Sequence, residues 1–133
     1  SRAILMKPLT GMNKSGNAVK EFCINKGLLL SNVHVIVDDI DLPLGKLRIR
    51  PKGGDGCHRG MESIIYQNRD NNFPRIRFGI AVGSKLRPSE QYVLKDFKKS
   101  DQNLADEMII RAADAAELIF EDGLNKAMNK YNA

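Results

Sequence analysis

The stretch Asn32–Arg50, NVHVIVDDIDLPLGKLRIR, decides the fold. Its first half, NVHVIVDD, is β-branched and apolar on both faces, which suits an interior strand of a parallel sheet. Its second half alternates Leu47 and Ile49 with Arg48 and Arg50. That two-residue period describes a strand with one wet face. Between the halves, the acids and Pro-Leu-Gly are ordinary turn residues. This reading puts His34 inside the first strand and Asp38-Asp39 at its carboxyl end. Ligands of open α/β sheets sit in the crevice outside the carboxyl ends of strands, so chemistry is sought there.

Working outward, AILM at Ala3–Met6 reads as a short buried strand ending before Pro8. SGNAVKEFCINKGL carries Ala18, Val19, Phe22 and Cys23 at helical spacing, with Gly27 where a C-terminal cap belongs. MESIIYQ reads as a short helix, RIRFGIAVG as a strand and SEQYVLKDF as a short surface helix. The last helix is predicted to be capped by Ser100 and to close at Gly123, with Leu104, Met108, Ala112, Ala115 and Ile119 on its apolar stripe. Strands alternating with helices predict an α/β fold with a mixed, mostly parallel sheet flanked by helices.

A chain of 133 residues is expected to be one domain. Its 42% apolar and 28% charged residues fit a soluble globular protein. No apolar run approaches the ~20 residues a membrane span needs. The start, SRAILMKPL, is too short and too mixed for a secretory signal. Cys23 and Cys57 make neither a disulfide framework nor a zinc motif, so they read as reduced thiols of an intracellular protein. The net charge of +5 favours a polyanionic partner. Arg48, Arg50, Lys52 and Arg59 gather in one loop-rich region, and Arg75 and Arg77 open a later strand. The acids gather in the last third, predicting a basic face opposite an acidic helix.

Three stretches bear chemistry. In DDIDLPLG the ordinary reading is a strand end and turn; the functional one aims Asp38 into the crevice to orient a histidine or bind a metal. GGDGCHRG, Gly53–Gly60, brings backbone close to a ligand, but it has neither the Lys-Ser/Thr of a phosphate-binding P-loop nor GxGxxG order; alone it reads as a flexible connection. In KPLTGMNKSG, Asn13 or Ser15 caps a helix, and the Asn13 amide both donates and accepts toward a peptide backbone. There are two histidines. His34 and Asp38 stand roughly 13 Å apart along an extended strand, too far to pair. His58, in the glycine loop, is the site histidine.

Together these stretches resemble the bacterial-type peptidyl-tRNA hydrolase family. KPLTGMNKSGNAV is similar to its KPxTYMNxSGxAV segment. VDDIDLPLGKLRIRPKGGDGCHRGMESII is similar to HDDLDLPxGxxRLRxGGGxGGHNGLxSII. NNFPRIRFGI and YVLKDF resemble its xxFxRLRIGIG strand and VLGxF lid. The resemblance runs from Lys7 to about Asn129, and four motifs in order make it specific.

The resemblance implies hydrolysis of the ester joining a peptide to the terminal ribose of tRNA, by a monomeric enzyme that needs no metal or other cofactor. It implies a catalytic set of Asp38 as orienting carboxylate, Asn13 as peptide-binding amide and His58 as loop histidine. Arg50 and Arg77 match basic positions that clamp the tRNA 5′ phosphate. Arg59, Lys52, Met12 and Gly56 complete the substrate and tRNA surface. The cytoplasm or a translating organelle is the implied compartment, with no membrane partner.

Departures carry expectations too. The family pattern GLGNPGxxYxxTRHNxGF, with its base histidine, does not occur in these 133 residues. The expectation is a truncated domain over 1–133 without the family's first strand and helix, with weak or absent hydrolysis and an opened sheet edge available for self-association. The asparagine after the loop histidine is Arg59, and arginine only donates. The aromatic of TYMN is Gly11. Removing a general base costs ~10² to 10⁴ in rate, and His58 is a substitute only within reach of Asp38. The alternative function is tRNA or RNA binding without catalysis, on a partner-binding scaffold. A phosphate-ligand enzyme of unrelated chemistry rests on the glycine loop alone.

Overall fold

In the computed structural model, which describes residues 3–83, 86 and 89–132, the chain forms an α/β fold around a mixed three-stranded sheet. Strands β1 (Val35–Pro43), β2 (Leu47–Arg50) and β3 (Arg75–Ala81) lie in the order β1-β3-β2. The Val35 N–H donates to Pro74 O and the Leu44 N–H to Ala81 O, both at 3.0 Å, so β1 and β3 advance together. The Gly79 N–H donates to Lys46 O at 2.8 Å and the Gly53 N–H to Asn71 O at 3.4 Å, so β2 runs against β3. The helices are α1 (Ser15–Lys26), α2 (Arg59–Asn68), α3 (Ser89–Val93), α4 (Gln102–Asp122) and α5 (Leu124–Tyr131). By contacts the chain divides into two compact units, Ser1–Val35 with Arg50–Arg75, and Ile36–Ile49 with Ile76–Ala133.

In the first unit α1 crosses α2 at glycine distance. A Cβ on Gly16 would stand 2.0 Å from Ser63 O. The Gly16 N–H donates to Ser63 Oγ at 2.9 Å. Helix α1 buries Val19 and Cys23 and ends, as its sequence predicts, at Gly27 in the left-handed region with φ 65°. Burial raises the pKa of the Cys23 thiol, which keeps it in the unreactive form.

In the second unit one core joins Leu47 and Ile49 of β2, Ile76 of β3, Met108, Ala112, Ala115 and Ile119 of α4, and Ala127 and Tyr131 of α5. The Asn132 amide accepts from Ile49 N at 2.7 Å and donates to Ile49 O at 2.9 Å. It thus closes β2, an edge strand, as a neighbouring strand would. Gly79 is where β1 presses on β3: a Cβ there would meet Pro43 O at 2.0 Å.

Several expectations are corrected. AILM is not a strand. Residues 3–9 have no regular structure, and Leu5 and Leu9 are 94% and 95% exposed. An extended segment becomes a strand only when a neighbour supplies its ladder, and among the described residues none flanks it. Ser1 and Arg2, which open the stretch weighed as a leader, lie outside the described residues. Ser100 does not cap α4; it sits in a 3₁₀ turn, Lys99–Asp101, that leads into the helix. Ala105 replaces Leu104 on the buried stripe; Leu104 instead covers the turn at Gly45, where a Cβ would lie 2.9 Å from its Cδ1. His34 precedes β1 by one residue rather than lying within it.

Candidate active site

Asp38 is not at the end of its strand. β1 continues to Pro43, because Ile40 and Leu42 keep burying one side through the acidic run. Asp38 is half-buried in mid-strand. The next acid, Asp39, is the one that meets Arg77. Its Oδ2 lies 3.9 Å from Arg77 Nη1, with the two side chains 12% and 9% exposed. Its Oδ1 accepts the Asp41 N–H at 2.8 Å. Arg77 is therefore a buried group of the second unit and not part of an open basic face. The contact is too long for a hydrogen bond but close enough for charge attraction in a poorly solvated site.

Asn13, Met12, Gly56, His58 and Arg59 all belong to the first unit, with Arg50 and Lys52. The sequence folds locally to bring Met12 and His58 to one point, Gly60. Gly11 O accepts the Lys14 N–H at 2.9 Å, closing a 3₁₀ turn over Met12–Lys14. Ser15 Oγ donates to Met12 O at 2.7 Å. The Asn13 side chain is exposed and folds back, so that a Cβ on Gly11 would lie 3.3 Å from its Oδ1. An aromatic residue at position 11 would crowd that amide.

Gly60 is the meeting point. A Cβ there would lie 2.6 Å from Met12 Sδ and 2.9 Å from His58 Cε1. Only a bare backbone lets the thioether and the imidazole approach together. The adjoining loop uses strained conformations. Gly56 and Cys57 have φ of 58° and 60°, and Asp55 O accepts the His58 N–H at 3.0 Å. The Asp55 carboxylate accepts the Cys57 N–H at 2.8 Å. Two successive positive φ values across such a bond describe a tight I′-like turn, and a non-glycine there costs about 1 kcal/mol.

The half-buried His58 caps α2: its Nδ1 accepts the Met61 N–H at 3.2 Å. A neutral imidazole accepts on one nitrogen and donates on the other, so the His58 proton is on Nε2. In this state Nδ1 is engaged as an acceptor. A base role requires it to release Met61. His34, also half-buried, has its pKa lowered by desolvation and partly restored by a hydrogen bond with the backbone of Asn32. Among the described residues no three His, Cys, Asp or Glu side chains converge as metal ligands, and no helix is long and apolar enough to cross a membrane.

Arg48, Arg50, Lys52 and Arg59 are exposed. Arg75 is not: it is 1% exposed and holds the glycine loop from beneath. Sequence reasoning missed Arg75, Gly60 and Ser63 as site-builders. An R-I-R alternation mimics a wet face, and contacts at a bare glycine leave no compositional trace. A cavity of about 820 Å³ lies at the opposite end of α2 from His58, lined by Lys20, Tyr66, Arg69 and Asp70 among others.

Comparison with known proteins shows the family. The family model described as peptidyl-tRNA hydrolase matches residues 1–133. A peptidyl-tRNA hydrolase of Thermoanaerobacter sp. (strain X514) is 47% identical over 131 residues, covering 98% of this chain and 70% of the relative. One from Desulforudis audaxviator is 42% identical, covering 99% and 66%. The crystal structure of peptidyl-tRNA hydrolase from Acinetobacter baumannii superposes with a TM-score of 0.84 at 33% identity, covering 95% of this chain. This chain spans 64% of that solved chain. A family model that matches from end to end, relatives with more than two-fifths identity and a shared fold lead to one statement: this chain belongs to the peptidyl-tRNA hydrolase family.

Proposed function

We propose that this chain hydrolyses the ester of peptidyl-tRNA, releasing peptide and free tRNA. The observation that carries the proposal is the contact at Gly60, where Met12, beside the Asn13 amide, meets the His58 ring. Ester cleavage by water needs an anchor for the peptide, a donor for the developing oxyanion and an acceptor for the water proton. Asn13 serves as the anchor, its amide pairing with a peptide bond. His58 donates from Nε2 to the oxygen that gains charge. Asp38 is assigned as the orienting carboxylate on family resemblance, and a proton-accepting role for His58 requires its Nδ1 to leave Met61. Met12 and Gly56 line the peptide side.

Arg50, Lys52 and Arg59 contact tRNA phosphates, which give position and affinity rather than sequence. The protein works as a monomer where translation occurs, in the cytoplasm or an organelle with its own ribosomes.

Peptide release from peptidyl-tRNA by this polypeptide, beside Asn13→Ala, tests the reading. Loss of one such polar contact costs ~10²-fold in rate. No release by the parent chain, or equal release by the variant, overturns it.

A second reading, RNA binding without turnover, is favoured by the engaged Nδ1 of His58 beside an exposed cationic cluster. Undetectable release combined with tRNA affinity that falls steeply with salt would select it.

A further inference from the structure

We infer that Arg75 is a positioning residue, whose buried guanidinium clamps the carbonyls of Gly53 and Gly54 and thereby fixes the loop presenting His58 and Arg59. The inference rests on the reading of that loop as part of the ester-cleaving site.

The Arg75 side chain lies inside the first unit. Nη1 donates to Gly53 O and Gly54 O, both at 2.9 Å. Nη2 donates to Asn71 O at 2.9 Å and Nε to Phe73 O at 3.1 Å. The guanidinium carbon sits 4.4 Å from the centroid of the buried Phe73 ring. One planar group thus ties the glycine loop to two points just upstream of β3.

Arginine suits this position and lysine does not. Its five N–H donors form a fixed plane that reaches four acceptors and stacks on an aromatic face. Lysine has three donors on one nitrogen.

The loop needs such a clamp. Gly53, Gly54 and Gly56 bring no side chains for packing, and glycine loses the most backbone freedom on ordering. Gly54 adjoins Asp55, whose carbonyl accepts the His58 N–H and whose carboxylate accepts the Cys57 N–H. His58 then caps α2 through Met61. Three residues, Asp55, Gly56 and Cys57, separate the clamped Gly54 carbonyl from His58, and the turn between them is set by hydrogen bonds to Asp55. Releasing the carbonyls lets the turn, the ring and Arg59 move together.

The test is Arg75→Lys in the full chain, read by imidazole ¹⁵N shifts of His58 and by amide exchange. The variant is expected to unfold cooperatively, to lose the single Nε2–H tautomer of His58, and to exchange the Cys57, His58 and Met61 amides ~10-fold faster or more. A folded variant with tautomer and exchange unchanged overturns the inference. Should the variant not fold, the parent chain decides. The Arg75 Nε proton is expected to exchange in the same opening as the Cys57 and Met61 amides. An Nε proton that stays protected while those amides exchange also overturns it. Neither measurement needs turnover, so a wrong clamp and a wrong activity are told apart.

Discussion

His58 Nδ1 accepts the backbone N–H of Met61 at 3.2 Å, so the imidazole proposed to act on the ester also starts a helix. The two roles are separable by substitution. Asparagine is a good N-cap, and replacing a cap by alanine costs ~1 kcal/mol. His58→Asn is expected to keep stability within ~0.5 kcal/mol of the parent and to lose ester cleavage. His58→Ala loses both. Urea unfolding beside peptide-release assays checks the pair; equal cleavage by His58→Asn removes the imidazole from the chemistry.

Arg77 and Asp39 form a nearly buried pair at 3.9 Å. Breaking such a pair from one side leaves a charge uncompensated, which costs about 3 kcal/mol. Arg77→Ala is expected to lower stability by that order. Arg59→Ala, on the surface, is expected to leave stability unchanged while weakening tRNA binding and reducing the salt slope by about 1. Denaturant midpoints and tRNA titrations at several salt concentrations distinguish the two arginines.

Cys57 holds φ 60° without being glycine. Cys57→Gly relieves that strain and keeps the Asp55–His58 turn. A gain of about 1 kcal/mol is expected, read as an upward shift of the unfolding midpoint. A loss would show that the thiol packs against something.

His34 carries a pKa lowered by burial, its largest cause, with a backbone bond opposing it. The folded state therefore binds its proton less readily than the unfolded state. Stability from this group is full above the unfolded value near 6.5 and falls as pH drops from there toward the lower folded value. His34→Gln is expected to flatten that acid limb between neutral pH and pH 5, seen by unfolding at a series of pH values.

Much of the fold is legible because its periods are clean. β2 buries Leu47 and Ile49 and exposes Arg48 and Arg50, and α1 stops at Gly27, where the left-handed turn needs glycine. What escapes is what depends on neighbours. β3 is the central strand, so its RIR is covered on both sides, and its arginines exist there only because distant groups meet them: Asp39 for Arg77, carbonyls for Arg75. The acids of DDID look like a turn but stay in β1, since Ile40 and Leu42 keep one side buried. Helix α5 hides behind Gly123, which ends one helix and starts the next. Within the site, Asn13 and His58 stand out by motif, while the glycine that joins their segments shows itself only in three dimensions.

The central claim is that the Asn13 segment and the His58 loop make one ester-cleaving site through their contact at Gly60. Peptide release from peptidyl-tRNA by Gly60→Ala, compared with the parent chain, tests it most directly. An added methyl 2.6 Å from Met12 Sδ and 2.9 Å from His58 Cε1 must push the two apart. Misplacement by about 1 Å costs ~10²-fold, so the account predicts measurable release by the parent and a drop of that order in a folded variant. Release by Gly60→Ala at the parental rate, or none by the parent, would contradict it.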